Sequence, residues 1–460
     1  MQLTAPLFLF VFLPLSLPVA LFFPRRLRML GLSLLSLAFY WLANRNNPLG
    51  LAAVGLLLLV PVALCYLPPA RARAQKWSRS RTVLGVILPL ALFCAARVLA
   101  LLPLGFTYPL GLGFVTLSAV SLALDRRRAA PHPPTPAHLL AYLLFFPTLS
   151  VGPVLHYNRF LRMSARGAAS PALFCDGVCL YMTGFVKRIA LAAVMARALR
   201  ALLSGGALSL PFLLTALCLS LFLLHFFLSG TADMARGIAA MYGLRLPADR
   251  ASIWMVGTPD RLFYRMLLPF YRYFRHYVGD PLRAAVGGRG GRVAAAGAVW
   301  LCVMLFLGFR PVLLLASLPI LACALVSAAR GHAVRARRPL LLRLVLHLLS
   351  LLAVAVLAFV GFADTLVGRE VLWRLPTAEM RLPFYNVFLA ASDARYLALA
   401  GLLLLPAWLL SRLPTRHMIP PRLRALLRPL GTALLFVLFV LCTVYLLPQF
   451  PSYAHSLFPS

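Results

Sequence analysis

Carboxylates are rare in this chain, ten acidic residues among 460, and one of them stands at the end of a long apolar run. The run "LTALCLSLFLL" leads directly into "HFFLSGTADMARGIAAMYGLRLP", His225 to Pro247, which carries Ser229, Asp233 and Arg236 at spacings of four and three. An acid and a guanidinium three residues apart share a helix face and can pair there. Inside hydrocarbon such charges are costly unless they pair or line a wet cavity. The small residues Ser229, Gly230 and Ala232 let a second helix approach closely. Two readings stay open for Asp233: a helix-packing hub, or the wall of a polar tunnel. A second pair, His276 and Asp280 in "HYVGD", lies four apart, on one face of a helix. A carboxylate that orients an imidazole is the architecture of a general base working near neutral pH. The same residues also fit the polar fringe of an interfacial aromatic helix. His225 and His156 read as polar residues at membrane boundaries.

The elements that hold these groups are set by composition. Hydrophobic residues make up 62% of the chain and the mean hydropathy is +0.89, against roughly 45–50% apolar content in soluble domains. The excess falls into segments of about 17–25 residues, the length that crosses a hydrocarbon core. The segments lack the alternation of membrane β-strands, so the expected class is an all-α polytopic membrane protein. The formal net charge is +35, from 45 basic residues of which only Lys76 and Lys187 are lysines. These arginines cluster between apolar spans, where they mark topology and meet anionic lipid headgroups rather than nucleic acid. The eight cysteines lie in or beside apolar stretches and behave as small hydrophobes. "CDGVC" has no partnering His or Cys nearby, so neither a metal site nor a disulfide framework is expected.

The first apolar run carries its charge after it, at Arg25, Arg26 and Arg28, which describes a first span with its N-terminus outside rather than a signal peptide. Spans then follow at about 5–23, 29–43, 48–67, 82–103 and 108–124, with the basic loops "PPARARAQKWSRSR" and "DRRR" falling on one side. Further spans are expected near about 176–203, 208–228, 292–309, 311–328, 340–362, 394–411 and 430–447, giving about 11–13 in all. Between them "LLAYLLFFPTLSVGPVLHYNRF" is interrupted by Pro147, Gly152 and Pro153 and reads as a re-entrant or broken helix. The stretch from 248 to 291 alternates arginines with aromatics, as an amphipathic helix at the interface does. "RGHAVRARRP" is a further basic loop. One integral membrane domain is expected over 1–460: N-terminal helices at 1–128, a core with the interrupted segments at 129–330, and C-terminal helices at 331–460.

Several blocks resemble, in order, the membrane-bound O-acyltransferase family in its bacterial branch, which acylates alginate, teichoic acid and other surface glycans. "YPLGLGFVTLSAVSLALDRRR" is similar to a Pro-Leu-Gly-Ile-Ser-Phe stretch running to an Asp and basic residues. "LLFFPTLSVGPVLHYNRF" is similar to Phe-Phe-Pro…Ala-Gly-Pro-Ile…Arg…Phe, and "GFVKRIALAAVMA" to a Gly-x-x-Lys-Lys helix. "SGTADMARGIAAMYGLRLP" resembles Ser-Gly-Tyr-Ser-Asp-Met-Ala-Ile-Gly…Gly-x-x-Leu-Pro. "FRHYVGDPL" and "AFVGFADTL" resemble an Arg-Asp-Tyr…Pro-Leu segment and a Trp-Val-Phe-Phe-Arg run. The blocks span residues 104–370.

The resemblance implies a helical bundle around a tunnel in the bacterial inner (plasma) membrane. It also implies transfer of an acyl group, from an acyl thioester or another activated donor, to a hydroxyl of a surface glycan or lipid. It implies no bound cofactor, and partners among membrane lipids and envelope-assembly proteins. Where the family carries two histidines, this chain carries Leu267 in "TPDRLFYRMLL" and Arg310 in "LFLGFRPVLLL"; Asp233 keeps its place. A guanidinium, with a pKa above about 12, cannot accept the proton of an acceptor hydroxyl, although it can bind an anion. Two expectations follow. One is an acyltransferase-related protein with lost or re-sited catalysis, for which His276 and Asp280 are candidates. The other is a non-catalytic scaffold, binding protein or conduit in which Arg310 holds an anionic group.

Overall fold

A computed structural model describes residues 3–66, 79–101, 106–129, 134–149, 154–166, 170–204, 210–247, 259–308, 311–330, 340–366 and 432–446. Among the described residues the secondary structure is helical, with no strand. Eight helices are long and apolar enough to cross a membrane: Leu27–Asn44, Pro48–Tyr66, Arg79–Ala100, Pro171–Arg200, Leu213–Met241, Gly288–Leu307, Val312–Ala329 and Val345–Ala363. Phe8–Val19, Pro136–Thr148 and Thr432–Val444 are shorter apolar helices. The chain is an all-α polytopic membrane protein. The span expected at 394–411 and the basic loop at 331–339 lie outside the described residues, as does most of the basic loop after residue 67.

Proline and glycine punctuate the helices as their backbone chemistry requires. Helices α3 (Pro48–Tyr66), α6 (Pro136–Leu143), α8 (Pro171–Val186), α11 (Pro259–Met266) and α15 (Pro311–Arg330) all begin on proline, whose fixed φ and missing N–H suit the first turn. The helix α10 (Leu210–Met241) runs for 32 residues, well past the 228 expected from hydropathy, because "SGTADMARGIAAM" contains small residues and no breaker. It stops at Gly243, whose φ is 79°. The Leu244 N–H donates to Ala239 O at 2.8 Å and the Gly243 N–H to Ala240 O at 2.9 Å. This is a Schellman end, which needs a left-handed residue at that position.

Contacts group the chain into two compact units, residues 1–181 with 234–248, and residues 182–233 with 249–459. The first contains α1 (Leu13–Phe22), α2 (Arg25–Asn44), α3, α4 (Arg79–Leu101), α5 (Leu112–Ala129), α6 and α7 (Tyr157–Arg166). Its axis is α5, which packs on α3, α4, α6 and α7 and is buried along most of its length. A cluster of rings joins Phe8, Phe12, Phe39, Phe146 and Tyr242 at centroid distances of 5.6–5.8 Å. The block expected to be broken is so: α6 ends at Leu143, a single 3-10 turn spans Phe146–Thr148, and α7 starts at Tyr157. Side chains stand in for the missing ladder. Ser121 Oγ accepts from the Tyr157 N–H at 3.0 Å and Asp125 Oδ2 from the Asn158 N–H at 3.1 Å. The Asp of "DRRR" therefore caps α7. On α3 and α4, Leu56, Leu59, Ile87 and Val98 are exposed and give bilayer tails an apolar surface.

The second unit holds α9 (Val194–Ser204), α11, α12 (Leu268–Phe274), α13 (Asp280–Val286), α14 (Gly288–Leu307), α15 and α16 (Leu340–Leu366). α14 and α15 form a hairpin, with α16 against α15 and α11 against both α15 and α16. The arginine- and aromatic-rich stretch is amphipathic as expected, burying Phe270, Tyr273 and Phe274, but it is not one helix. Pro269 divides it at Leu267, and a π turn at Arg275–Gly279 divides it again.

Within the first unit, a Cβ on Gly237 would stand 2.6 Å from both Gly177 O and Tyr181 N, whereas Gly55 meets nothing within 4 Å. Backbone atoms on a packed helix cannot yield. Gly237→Ala is expected to cost about 1–3 kcal/mol, while Gly55→Ala is neutral or gains up to about 1 kcal/mol from helix propensity. Thermal unfolding of the two variants in detergent checks the contrast.

Candidate functional site

In the second unit a group of polar side chains collects where α10 meets the segment that follows α8. That segment, Lys187–Ala193, is a π-helical run with all seven residues buried, inside the continuous span Pro171–Arg200. π turns widen a helix and re-aim its side chains. Here the widening begins at the two adjacent cations. Lys187 Nζ donates to Asp233 Oδ2 at 2.7 Å, with the two side chains 10% and 14% exposed. Arg188 Nη1 donates to Thr231 Oγ1 at 2.7 Å, and Thr231 Oγ1 in turn donates to Phe227 O at 2.6 Å. The guanidinium lies 4.1 Å above the Phe227 ring, within cation–π range.

Close approach makes these contacts possible. A Cβ on Gly230 would lie 2.8 Å from Gly184 O, 3.1 Å from Lys187 Cβ and 3.2 Å from Arg188 N. The hydrogen at that position lets the backbones touch, which brings two short reaches, Lys187 to Asp233 and Arg188 to Thr231, within hydrogen-bond distance. The Ser229 Oγ is buried without a hydrogen-bond partner. His225 is half-buried, and with Ser229 and Asp233 it falls at i, i+4 and i+8 on one stripe of α10. The stripe thus joins an imidazole, a hydroxyl and a neutralised carboxylate.

The residues singled out from sequence fall in different places. Asp233 and Ser229 are in this cluster, and the close ion pair of Asp233 is with Lys187. Arg236 lies almost one turn further along α10 and is half-buried. Leu267 is 4% exposed, at the break between α11 and α12. His276 and Asp280 are exposed. Arg275 Nε, five residues before Asp280 across a π turn, points at Asp280 Oδ1 at 3.5 Å, and the His276 ring meets the Tyr277 ring at 4.8 Å. Arg310 lies outside the described residues. Lys187 carried a signal in the sequence, being one of two lysines in the chain and set within an apolar run. Among the described residues no group of three His, Cys, Asp or Glu side chains could hold a metal ion.

Removing one partner of a buried pair strands the other charge. Lys187→Met or Asp233→Asn alone is expected to destabilise by about 3–5 kcal/mol, and the double variant by clearly less than either single change. A double-mutant cycle on unfolding in detergent reads the coupling.

Comparison with known proteins places the chain. The profile of MBOAT, membrane-bound O-acyltransferase family, matches residues 35–266. The matched stretch includes Asp233 and Lys187 and ends just before Leu267. A probable alginate O-acetylase AlgI of Pseudomonas syringae pv. tomato is 26% identical over 204 residues, 43% of this chain and 38% of that protein. Its counterpart in Azotobacter vinelandii is 26% identical over 317 residues, 63% of this chain and 60% of that one. That of Pseudomonas fluorescens is 26% identical over 296 residues, covering 60% and 56%. The chain spans from under four-tenths to six-tenths of the length of these curated relatives. With half of its length matched to the family profile, this chain belongs to the membrane-bound O-acyltransferase family.

Proposed function

We propose that the chain takes part in O-acylation of a surface polysaccharide in the bacterial inner membrane, with the proton acceptor re-sited to His225. The relatives named as alginate O-acetylases support the substrate class. The observation that carries the site is the polar stripe His225–Ser229–Asp233, closed by Lys187 inside a membrane span. A neutral imidazole can take the proton of an acceptor hydroxyl near pH 7. Asp233, held by Lys187 at 2.7 Å, supplies a fixed electrostatic wall rather than a second base. Arg188 and Lys187 supply positive charge for the acyl carbonyl oxygen as the acceptor oxygen bonds to its carbon; the donor's C–S bond then breaks and the thiolate leaves with the proton that His225 took. The activated donor is an acyl thioester or an equivalent acyl group.

The family's two histidine positions, by the motif alignment, fall on Leu267 and Arg310. Leu267 is buried and apolar, and a guanidinium accepts no proton. This pair of departures favours a second reading, a non-catalytic binding protein or conduit in an envelope-polymer assembly.

Purified protein with an acyl thioester and a polysaccharide acceptor separates the two. His225→Ala is expected to lower turnover by roughly 10²–10⁴-fold, while His276→Ala and Asp280→Ala stay within about twofold of the parent, as expected of groups outside the chemistry. Loss on His276→Ala with His225→Ala active moves the base to the exposed pair. Binding of the acceptor without turnover on any thioester establishes the non-catalytic reading.

A further inference from the structure

Away from the α10 cluster, the second unit encloses a polar cavity of about 360 Å³ between α11, α13, α14 and α15. Its walls carry five guanidiniums, Arg261, Arg265, Arg275, Arg283 and Arg292, against two carboxylates, Asp260 and Asp280. The formal excess is three positive charges. Arg292 is spent on structure: its Nε donates to Ala328 O at 3.0 Å and its Nη2 to Ala329 O at 3.4 Å, closing the end of α15 where cations are favoured. The other four lie along α11 to α13, where Arg275 Nε points at Asp280 Oδ1 at 3.5 Å.

Two buried polar groups line the same cavity with nothing to bond. Asp260 is 6% exposed and its Oδ1 has no hydrogen-bond partner; Tyr264 is 8% exposed and its hydroxyl has none either. Burial, together with Tyr271 and Asp260 nearby, pushes the Tyr264 hydroxyl up, so it stays protonated and able to donate. The Tyr264 and Tyr271 rings stack at 4.1 Å, which fixes that hydroxyl in place. A buried acceptor and a buried donor left unsatisfied each cost free energy that a ligand would recover.

We propose that this cavity binds the headgroup of an anionic, hydroxyl-bearing phospholipid. The arginines take the phosphodiester oxygens, as guanidiniums do. Asp260 Oδ1 accepts from a headgroup hydroxyl, and the Tyr264 hydroxyl donates to one. The C-terminal end of α15 lines the cavity through Ala324, Ser327 and Ala328. That end leads into "RGHAVRARRP", which marks it as cytoplasmic by the arginine rule. A cavity in the range of about 300–1,000 Å³ accommodates a ligand of this size. The net positive charge selects against zwitterionic headgroups.

Native mass spectrometry of the full chain, released from nanodiscs of mixed phosphatidylglycerol and phosphatidylethanolamine, reads the site. Phosphatidylglycerol is expected to be retained at least about tenfold over phosphatidylethanolamine. The exposed-site double variant R275Q/R283Q is expected to lose roughly thirtyfold in that retention, about fivefold per cation. R289Q, an equal change of charge per site outside the cavity, is expected to stay within about twofold of the parent. Tyr264→Phe narrows the preference for phosphatidylglycerol over phosphatidylmethanol, which has the charge without the hydroxyls; an unchanged preference overturns the hydroxyl assignment. Equal retention of the two natural lipids overturns the proposal, and so does a loss in R275Q/R283Q no greater than that in R289Q. Displacement of the lipid by an equal concentration of soluble glycerol phosphate reassigns the cavity to a soluble phosphate and also overturns it.

Discussion

A charge placed in hydrocarbon must find its opposite, and in this chain that requirement organises the helices around α10. With ten acidic residues to offset 45 basic ones, carboxylates are the scarce partner. Lys187 and Asp233 meet at 2.7 Å with both side chains largely buried. Arg188 donates to the Thr231 hydroxyl and lies over the face of the Phe227 ring. Both solutions demand short reaches. Short reaches demand that two helix backbones nearly touch, and Gly230 against Gly184 O supplies that contact. The pair, the glycine and the π run are one device: any one of them loses its purpose without the others.

The same economy explains why so few acidic residues suffice elsewhere. Asp125 is spent on the first turn of α7, where the broken block leaves amides without a helical partner. Asp280 is shared with Arg275 at an exposed site, where an ion pair adds little to stability. Asp260 is buried with an oxygen unsatisfied, and it lines a cavity with five arginines. A carboxylate in that setting is stable through the surrounding field rather than through one bonded partner, which leaves its lone pair available to a ligand.

Belonging to an acyltransferase family does not by itself supply a base. The architecture around Asp233 is a close pair of helices, joined by Gly230 against Gly184 O and by the Lys187–Asp233 pair. His225 lies on the same stripe of this helix as Ser229 and Asp233. Because the fold is set by helix packing, and the reaction by a few side chains, the first persists through changes that rewrite the second.

Much of the architecture was legible in the amino-acid order, because the signals for membrane helices are local. Apolar length set the spans, proline set five helix starts, and Pro147 with the glycine that follows it marked the break between α6 and α7. The Ser-Gly-Thr-Ala-Asp motif was recognisable as a costly polar insertion. Its pairing with Lys187, 46 residues earlier, was not, because no local spacing rule joins two separate helices. Hydropathy ended the span at 228, since it scores polarity and is blind to the Schellman turn at Gly243. Pairing across helices, register and enclosure of a cavity arise from which surfaces fit together. Those are properties of the packed chain, and no window of sequence contains them.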